Sequence, residues 1–240
     1  MARRIVALLL TGLAGCAAQP SGDWRASQEA CRVAEEGATA QANVNACTAV
    51  ILGADSEQER INAYNFRGVI YSQTGREDLA MADFDEAIRL APDFSAAHNN
   101  RANLLSRQGR LEAAERDYEA ALSSGPRNAT AYNNYAWHLL EKGDYDAALP
   151  LAEQAVRLEP QKASNHDTLA HALMGLGRGV EAEQSFATAM ELDGVEVVRR
   201  YQNALTAKGY SPGRSDGVLD GKTQAALASC IRDNCRLLLD

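Results

Sequence analysis

The chain has 240 residues, 46% of them apolar and 23% charged, with a formal net charge of -8 from 24 Lys+Arg against 32 Asp+Glu. This composition is typical of a folded protein with one or two domains and a sizeable buried core. The acidic balance argues against nucleic acid as a partner, since phosphates require clustered cations, and provides no attraction to anionic lipid.

The amino-terminal segment has the features of an export signal. Arg3 and Arg4 precede a largely apolar run from Ile5 to Leu13. This run is too short to span a bilayer, which takes about 20 residues. A basic start, a short apolar core and small residues are typical of a signal peptide, which we predict over residues 1–15.

The end of this segment, Leu13-Ala14-Gly15-Cys16, resembles the bacterial lipobox. The resemblance implies that Cys16 is lipidated and becomes the first mature residue, at the start of a tether over residues 16–23. Several acyl chains anchor a protein stably, since each buried CH₂ contributes about 0.8 kcal/mol. Enterobacterial lipoproteins kept in the inner membrane have an aspartate where this chain has Ala17, which implies an outer-membrane protein facing the periplasm. The alternative is an ordinary secretory signal with an incidental cysteine.

Four cysteines remain besides Cys16, and an oxidising periplasm favours disulfides among them. Four cysteines allow three connectivities, of which nearness in sequence favours Cys31–Cys47 with Cys230–Cys235. The first bond would close a loop of about 17 residues and stabilise the fold by about 3 kcal/mol on the chain-entropy model. The rival interpretation is a metal site, but paired C-x-x-C spacing is missing and no histidine is placed to complete one. We therefore predict neither a metal nor a cofactor.

A short helix pair is predicted from Trp24 to Gly53, inside an amino-terminal cap that covers residues 24–60. Such a cap is expected before a repeat array, because the first unit has no neighbour on one side. Residues 61–194 then show an internal period of 34 residues, with proline at Pro92, Pro126 and Pro160.

Three further columns follow the same period. They hold a small residue (Gly68, Ala102, Ala136, Ala170), a glycine (Gly75, Gly109, Gly143, Gly177) and a large apolar residue (Tyr71, Leu105, Leu139, Leu173). Glycine is expected to end the first helix of each unit, and proline to follow the second. These columns resemble the tetratricopeptide repeat, although Tyr64, His98, Tyr132 and His166 replace its usual tryptophan. The resemblance implies an all-α fold, a right-handed superhelix of four helix-turn-helix repeats.

Asparagine recurs on the first helix of successive units, at Asn65, at Asn99 and Asn100, and at Asn133 and Asn134. First helices line the concave face of tetratricopeptide arrays. The resemblance therefore implies a groove whose amides, which both donate and accept, hold an extended peptide. Further groove candidates are Asn103, Trp137, His171 and Met174. The alternative is that the amides cap loops or bond adjacent helices.

No catalytic arrangement is recognisable in the sequence. The four histidines form no H-E-x-x-H, and neither G-x-S-x-G nor a phosphate loop is present. The acids between Asp83 and Glu86 fall on a second helix and are predicted to face solvent. The family's carboxylate clamp is not predicted either, because Ser164 and Thr168 occupy the places of its cations. We therefore predict that the protein is not an enzyme.

Residues 195–240 depart from the period and are predicted to form a small helical domain. A helix to about Lys208 is followed by turn dipeptides, and Lys222-Thr223 opens another helix. This order resembles the helical peptidoglycan-binding domain, except that Cys230 replaces its aromatic residue. The resemblance implies glycan contacts from Tyr210, Asp216, Gly217, Lys222 and Thr223. The alternative is a terminal cap of the array, held by a Cys230–Cys235 bond.

These features together predict a lipid-anchored envelope protein that acts as a non-catalytic scaffold. Its groove is expected to bind an extended peptide or a partner protein in the periplasm. Similar lipoproteins serve as adaptors for wall hydrolases and synthases, or as pilotins for secretion and pilus machines. The alternative is a peptidoglycan-binding protein that uses its tail, with the repeats as a spacer.

Overall fold

The computed structural model describes residues 24–32, 39–233 and 235. The signal peptide, the lipidation site at Cys16 and the tether predicted before Trp24 lie outside the described residues. Within the described ranges the chain forms α-helices and no strand. No helix in these ranges has both the length and the apolar character that crossing a membrane requires.

The helices follow one another in pairs, so the predicted all-α repeat architecture is confirmed. The first pair is α1 (Trp24–Arg32) and α2 (Ala40–Gly53). The next helices are α3 (Glu57–Gln73), α4 (Glu77–Leu90), α5 (Ser95–Arg107), α6 (Leu111–Ser124), α7 (Ala129–Lys142), α8 (Tyr145–Leu158), α9 (Ala163–Gly175) and α10 (Gly179–Asp193). The tail contributes α11 (Val195–Ala207) and α12 (Gly221–Arg232).

The glycine column ends the first helix of each repeat, as predicted. Gly143 has a φ of 81°, in the left-handed region that side chains disfavour, and Gly75, Gly109 and Gly177 are similar. The amide of Asp144 then donates to Leu139 O at 2.9 Å, so a carbonyl of the last turn has a partner. This turn reverses the chain and lets the second helix pack back on the first.

The small-residue column allows the two helices of a pair to approach closely. A Cβ on Gly68 would lie 2.6 Å from a ring carbon of Phe84, and Ala102 is fully buried at the equivalent place. Phe84, Tyr118 and Phe186 are the large buried residues that face this column. The core of the first, second and fourth repeats therefore places one small residue against one aromatic ring, whereas the third repeat has Ala152 in place of the ring.

The first helices of the repeats form the inner layer of the stack. Each contacts the next along the series, α1 with α3, α3 with α5, α5 with α7 and α7 with α9. The second helices of the repeats make no comparable contact with one another in the described ranges, and instead contact the first helices of their own and the following unit. Neighbours are closer on the inside of a curved stack, so the first helices line its concave side.

Both cysteine pairs predicted from the sequence are bonded in the structure. Cys31 and Cys47 join α1 to α2 with their Cα atoms 4.7 Å apart, and Cys47 is fully buried. Cys230 and Cys235 close a short loop after α12, with a Cα–Cα distance of 5.1 Å. The first bond holds the amino-terminal pair together, and the second links Cys235 back to α12.

The structure corrects the prediction that the acids between Asp83 and Glu86 face solvent. Asp83 is buried and accepts hydrogen bonds from Nε and Nη2 of Arg67, each at 2.8 Å. The prediction was wrong for Asp83 because its partner lies sixteen residues earlier, on the first helix of the pair. The periodicity of α4 alone contains no sign of that cation.

The second repeat has an equivalent buried ion pair with an additional partner. Arg101 donates to both carboxylate oxygens of Asp117, at 2.6 and 2.7 Å, and also to exposed Asp85 at 2.6 Å. Nδ1 of buried His98 lies 3.0 Å from Asp117 Oδ1. Burial would raise the pKa of Asp117, but hydrogen bonds from Arg101 and His98 hold that pKa below its ordinary value.

The third repeat replaces this ion pair with an apolar pair. Tyr135 and Leu151 occupy the places that Arg101 and Asp117 hold one repeat earlier. Both pack in the cluster around Leu139 and Ala148, and the ring of Tyr135 stacks on Tyr118 with centroids 5.1 Å apart. The joint between α5 and α6 is therefore ionic, whereas the joint between α7 and α8 is apolar.

Candidate binding groove

Four asparagine side chains form a continuous chain of hydrogen bonds across three inner helices. Asn134 Nδ2, on α7, donates to Asn99 Oδ1, on α5, at 3.1 Å. Asn99 Nδ2 donates to Asn100 Oδ1 at 3.3 Å, and Asn100 Nδ2 donates to Asn65 Oδ1, on α3, at 2.9 Å. We call this set the amide ladder. It is possible because each carboxamide can donate and accept at once.

The amide ladder changes the roles predicted for its members. Asn65 and Asn99 are only 5% and 4% exposed, so their amides serve the contact between neighbouring helices rather than a partner. For these two residues the alternative interpretation, bonding between adjacent helices, describes the observed contacts. Asn100 and Asn134 are partly buried and form the surface of the ladder on the concave side.

The amide ladder stops at α7 because the next repeat has no asparagine at the equivalent place. Each of its bonds between helices spans 35 residues, and the residue 35 places after Asn133 is Thr168. The hydroxyl of Thr168 donates instead to Ser164 O at 3.0 Å. Among the described residues no donor reaches Asn133 Oδ1, which is buried. A buried acceptor without a donor costs stability.

We expect Thr168→Asn to raise the free energy of unfolding by about 1 kcal/mol, because the new amide can donate to Asn133 Oδ1 and extend the amide ladder to α9. Urea denaturation followed by circular dichroism would measure the change. The control is Thr206→Asn, since Thr206 is exposed and its hydroxyl also bonds a carbonyl four residues earlier. If Thr168→Asn raises the free energy of unfolding no more than the control does, the new amide does not pair with Asn133 Oδ1.

A recess of about 310 Å³ opens between α5 and α7, beside the amide ladder. We call it the α5–α7 recess. On the α5 side it is lined by Asn103 and Arg107, and on the α7 side by Trp137 and Glu141. Each pair is four residues apart and therefore lies on one face of its helix. Asn103 and Trp137 were predicted as groove residues, whereas Arg107 and Glu141 were not.

The floor of the α5–α7 recess orients the residues above it. The hydroxyl of buried Tyr118 donates to Asn103 Oδ1 at 2.7 Å, so Asn103 Nδ2 is the free end of that amide. His138 is 1% exposed, and its Nδ1 lies 2.7 Å from Ser106 Oγ. Burial lowers the pKa of His138, so the ring is neutral near pH 7. The floor is therefore buried, hydrogen-bonded and uncharged near pH 7.

Trp137 lies at the edge of the α5–α7 recess, and His171 lies behind it. The indole N–H of Trp137 donates to Glu141 Oε1 at 3.1 Å. His171 is buried between Trp137 and Phe186, with ring centroids 5.4 and 4.9 Å away. The prediction that His171 faces a partner is therefore corrected, because its ring fills the space between two aromatic side chains. Met174 is also buried.

The tail residues predicted to contact glycan serve largely internal contacts. Thr223 and Gly217 are buried, and Gln202 bonds both, through Thr223 Oγ1 at 3.1 Å and the amide of Gly217 at 2.9 Å. A Cβ on Gly217 would lie 2.4 Å from Val195 O, so this place requires glycine. For Thr223 and Gly217 the predicted glycan contact is corrected, because their polar groups hold α11, the turn and α12 together.

Three predicted glycan contacts remain at or near the surface. Tyr210 donates its hydroxyl to Asp233 at 2.9 Å. Asp216 is exposed and its Oδ1 accepts from the amide of Val218 at 3.1 Å, and Lys222 is exposed at the start of α12. None of these three side chains lines the α5–α7 recess. The described residues also contain no cluster of His, Cys, Asp or Glu that could hold a metal.

Comparison with known families places repeats over most of the described chain. Family models described as "Tetratricopeptide repeat" match residues 61–94, 99–163 and 139–207. The last match extends past Gly194 and includes α11, where Ala204 continues the small-residue column 34 residues after Ala170. No curated protein matches the chain.

Several solved structures share this fold at low sequence identity. PilF of Pseudomonas aeruginosa is 21% identical with a TM-score of 0.58, over 74% of this chain and 76% of that one. TTC0263, a thermophilic tetratricopeptide protein of Thermus thermophilus, is 19% identical with a TM-score of 0.56, over 70% and 89%. MamA AMB-1 is 19% identical with a TM-score of 0.55, over 72% and 98%. At these identities the likeness concerns the fold alone.

Proposed function

The chain is a tetratricopeptide repeat protein, and from that premise we propose that it is a non-catalytic scaffold of the bacterial envelope whose concave groove binds an extended segment of a partner protein. The fold supports a role in protein–protein interaction. The observation that carries the groove assignment is the α5–α7 recess, which opens on the inner layer with Trp137 at its edge. Partly exposed tryptophans are common anchors in protein interfaces.

The proposed location rests on the amino-terminal sequence. Residues 1–16 have the order of a lipoprotein signal, and Cys16 is the residue that the acyl chains would modify. The two disulfides are consistent with an oxidising compartment such as the periplasm. We therefore propose that the protein is anchored to the outer membrane and that the repeats face the periplasm.

The size of the groove sets the length of segment that it can hold. Neighbouring helices pack about 8–10 Å apart, and an extended chain advances about 3.3 Å per residue, so three residues cross one inner helix. A segment that runs from α3 to α9 therefore contains about eight residues. Asn100 and Asn134 lie along this path with carbonyl oxygen and N–H groups that can accept from and donate to a peptide backbone.

We expect a photo-crosslinking amino acid at Asn62 to capture a periplasmic protein partner in intact cells, whereas the same amino acid at Leu79 captures none. Asn62 lies on inner helix α3 beside Phe66, and Leu79 is an exposed apolar residue of outer helix α4. Mass spectrometry would identify the adduct. Its recovery in the outer-membrane fraction tests the proposed anchor in the same samples.

Trp137→Ala is the matching affinity test once the partner is purified. We expect the dissociation constant to rise by about thirtyfold, the change typical of an interface hot spot. Leu79→Ala, which shortens an exposed apolar side chain on the opposite side, should leave the constant unchanged. Adducts that form only from Leu79, or equal affinity after Trp137→Ala, would place the binding surface outside the groove.

A further inference from the structure

We propose that the α5–α7 recess is a specificity pocket for a side-chain carboxamide, and that it accepts a glutamine or asparagine of the bound segment. The inference rests on the proposed function, since the side chain belongs to a segment that lies in the groove. It adds the chemistry of the residue that the groove selects.

The α5 side of the recess offers hydrogen-bond donors. Asn103 Oδ1 is already bonded to the buried hydroxyl of Tyr118, so Asn103 presents its N–H₂ group. Arg107 lies one turn further on, and its Nη2 donates to Ser72 Oγ at 2.5 Å. A guanidinium has five N–H donors and no acceptor, so donors remain on Arg107 for a ligand. An oxygen atom of the ligand is therefore expected on this side.

The α7 side of the recess offers an acceptor. Glu141 accepts the indole N–H of Trp137 with Oε1, and its side chain is otherwise exposed. An ionised carboxylate accepts hydrogen bonds at both oxygens, so it can take further N–H groups from a ligand. An N–H₂ group of the ligand is therefore expected on this side.

A carboxamide is the side-chain group that matches this polarity. It presents an oxygen and an N–H₂ group in one plane, and its dipole can lie from the donors of Asn103 and Arg107 to the acceptor of Glu141. The flat indole of Trp137 provides a surface for such a planar group. The recess lies between two helices, so a side chain can enter it while the backbone of an extended segment crosses above.

The same arrangement disfavours the two closest substitutes for glutamine. Both oxygens of a glutamate side chain are acceptors, so one can pair with Arg107 while the other would face the carboxylate of Glu141. A leucine has similar bulk, but it would cover the N–H₂ of Asn103 without giving it an acceptor. The neutral floor at His138 adds no charge that would reverse this preference. The pocket is therefore expected to select against both.

Short acetylated and amidated peptides that differ only in a central glutamine, glutamate or leucine provide the probes. The protein contains two tryptophans, Trp24 and Trp137, so ¹⁵N-labelled protein gives two indole N–H signals. We expect the glutamine peptide to shift the Trp137 signal and to leave that of Trp24 in place. Its affinity should exceed that of the other two peptides by about tenfold, which is within the range that one or two hydrogen bonds provide.

Two variants test the geometry of the pocket. Tyr118→Phe removes the hydroxyl that orients Asn103, and Asn103→Leu removes the donor itself, so both should abolish the preference for glutamine over leucine. Asn203→Leu makes the same chemical change on the exposed surface of α11, outside the groove, and should keep the preference. The spectrum of the rest of the protein reports whether each variant is folded.

The proposal is overturned if the Trp137 signal does not move, or if the leucine or glutamate peptide binds as tightly as the glutamine peptide. It is also overturned if folded Tyr118→Phe keeps full selectivity. Crosslinking from Asn62 that persists in any of these cases would retain the scaffold function and discard only the carboxamide pocket. Loss of crosslinking from Asn62 would reject the groove itself.

Discussion

Asp117→Ala is expected to lower the free energy of unfolding by about 3–5 kcal/mol, because removal of one member of a buried ion pair leaves the other uncompensated. Arg101 would lose two hydrogen bonds of 2.6 and 2.7 Å, and buried His98 would lose its carboxylate partner. Chemical denaturation at neutral pH would measure the loss.

Asp85→Ala is the matched control for this change. Asp85 accepts from the same guanidinium at 2.6 Å, but its side chain is 55% exposed, so the expected loss is below about 1 kcal/mol. Arg101→Tyr combined with Asp117→Leu copies the apolar pair of the third repeat and should lose less than Asp117→Ala alone. Equal losses for Asp85→Ala and Asp117→Ala would contradict the role of burial.

The depressed pKa of Asp117 gives this ion pair a defined dependence on pH. The carboxylate is favoured in the folded state, so its contribution is complete above the ordinary pKa of an aspartate and disappears as pH falls through the lower folded value. The difference in stability between the wild type and Asp117→Ala should therefore shrink as the solution is acidified.

Phe186→Ala, made as a single variant, is expected to lower the free energy of unfolding by about 3–5 kcal/mol. This is the loss typical of truncating a fully buried aromatic side chain. The ring of Phe186 lies between His171 and Tyr201, with centroids 4.9 and 5.8 Å away. It therefore joins the fourth repeat to α11. Thermal or chemical denaturation would measure the loss.

The location of the damage distinguishes this role from general destabilisation. Contacts in a repeat array pass between neighbours, so hydrogen exchange should quicken in α11 and α12 and change little in α5 and α6. Val180→Ala, on the same helix but 73% exposed, should alter stability by no more than about 0.5 kcal/mol. Uniform acceleration of exchange throughout the chain would contradict the local role of Phe186.

Most of the fold could be predicted because its determinants recur at a fixed interval. Gly143 indicates the turn between two helices, and Ala102 indicates the close packing of a helix pair. Each belongs to a column of similar residues. The limits of individual helices were less predictable. The first repeat helix begins at Glu57, before the predicted start at Ile61, and two acids in its first turn favour that extension.

Contacts between columns could not be predicted in the same way. Asp83 was predicted to face solvent because its partner, Arg67, lies on another helix. Asn99 was predicted to face the groove because its partner, Asn134, lies one repeat away. Thr223 resembled a family binding residue, whereas Gln202 uses it as an internal partner. Each of these three side chains is polar, and its partner lies on another helix.

Only some of the residues that line the α5–α7 recess were predicted from the sequence. Asn103 and Trp137 follow from the family resemblance, and Arg107 and Glu141 could have been found from them, since each lies four residues further along the same helix face. Tyr118 carries no such signal, because it is a core ring whose hydroxyl happens to reach the groove floor.

The change from ionic joints in the first two repeats to an apolar joint in the third determines how such an array can be recombined. A hybrid that replaced α5 with the sequence of α7, and kept α6, would place a tyrosine over Asp117 and leave that carboxylate without its cation. Exchange of α5 together with α6 keeps this buried ion pair in one unit, and separates only the partly exposed pairs Arg101–Asp85 and Lys142–Glu115. Evolutionary shuffling and protein engineering of this chain should therefore tolerate whole hairpins and reject single helices.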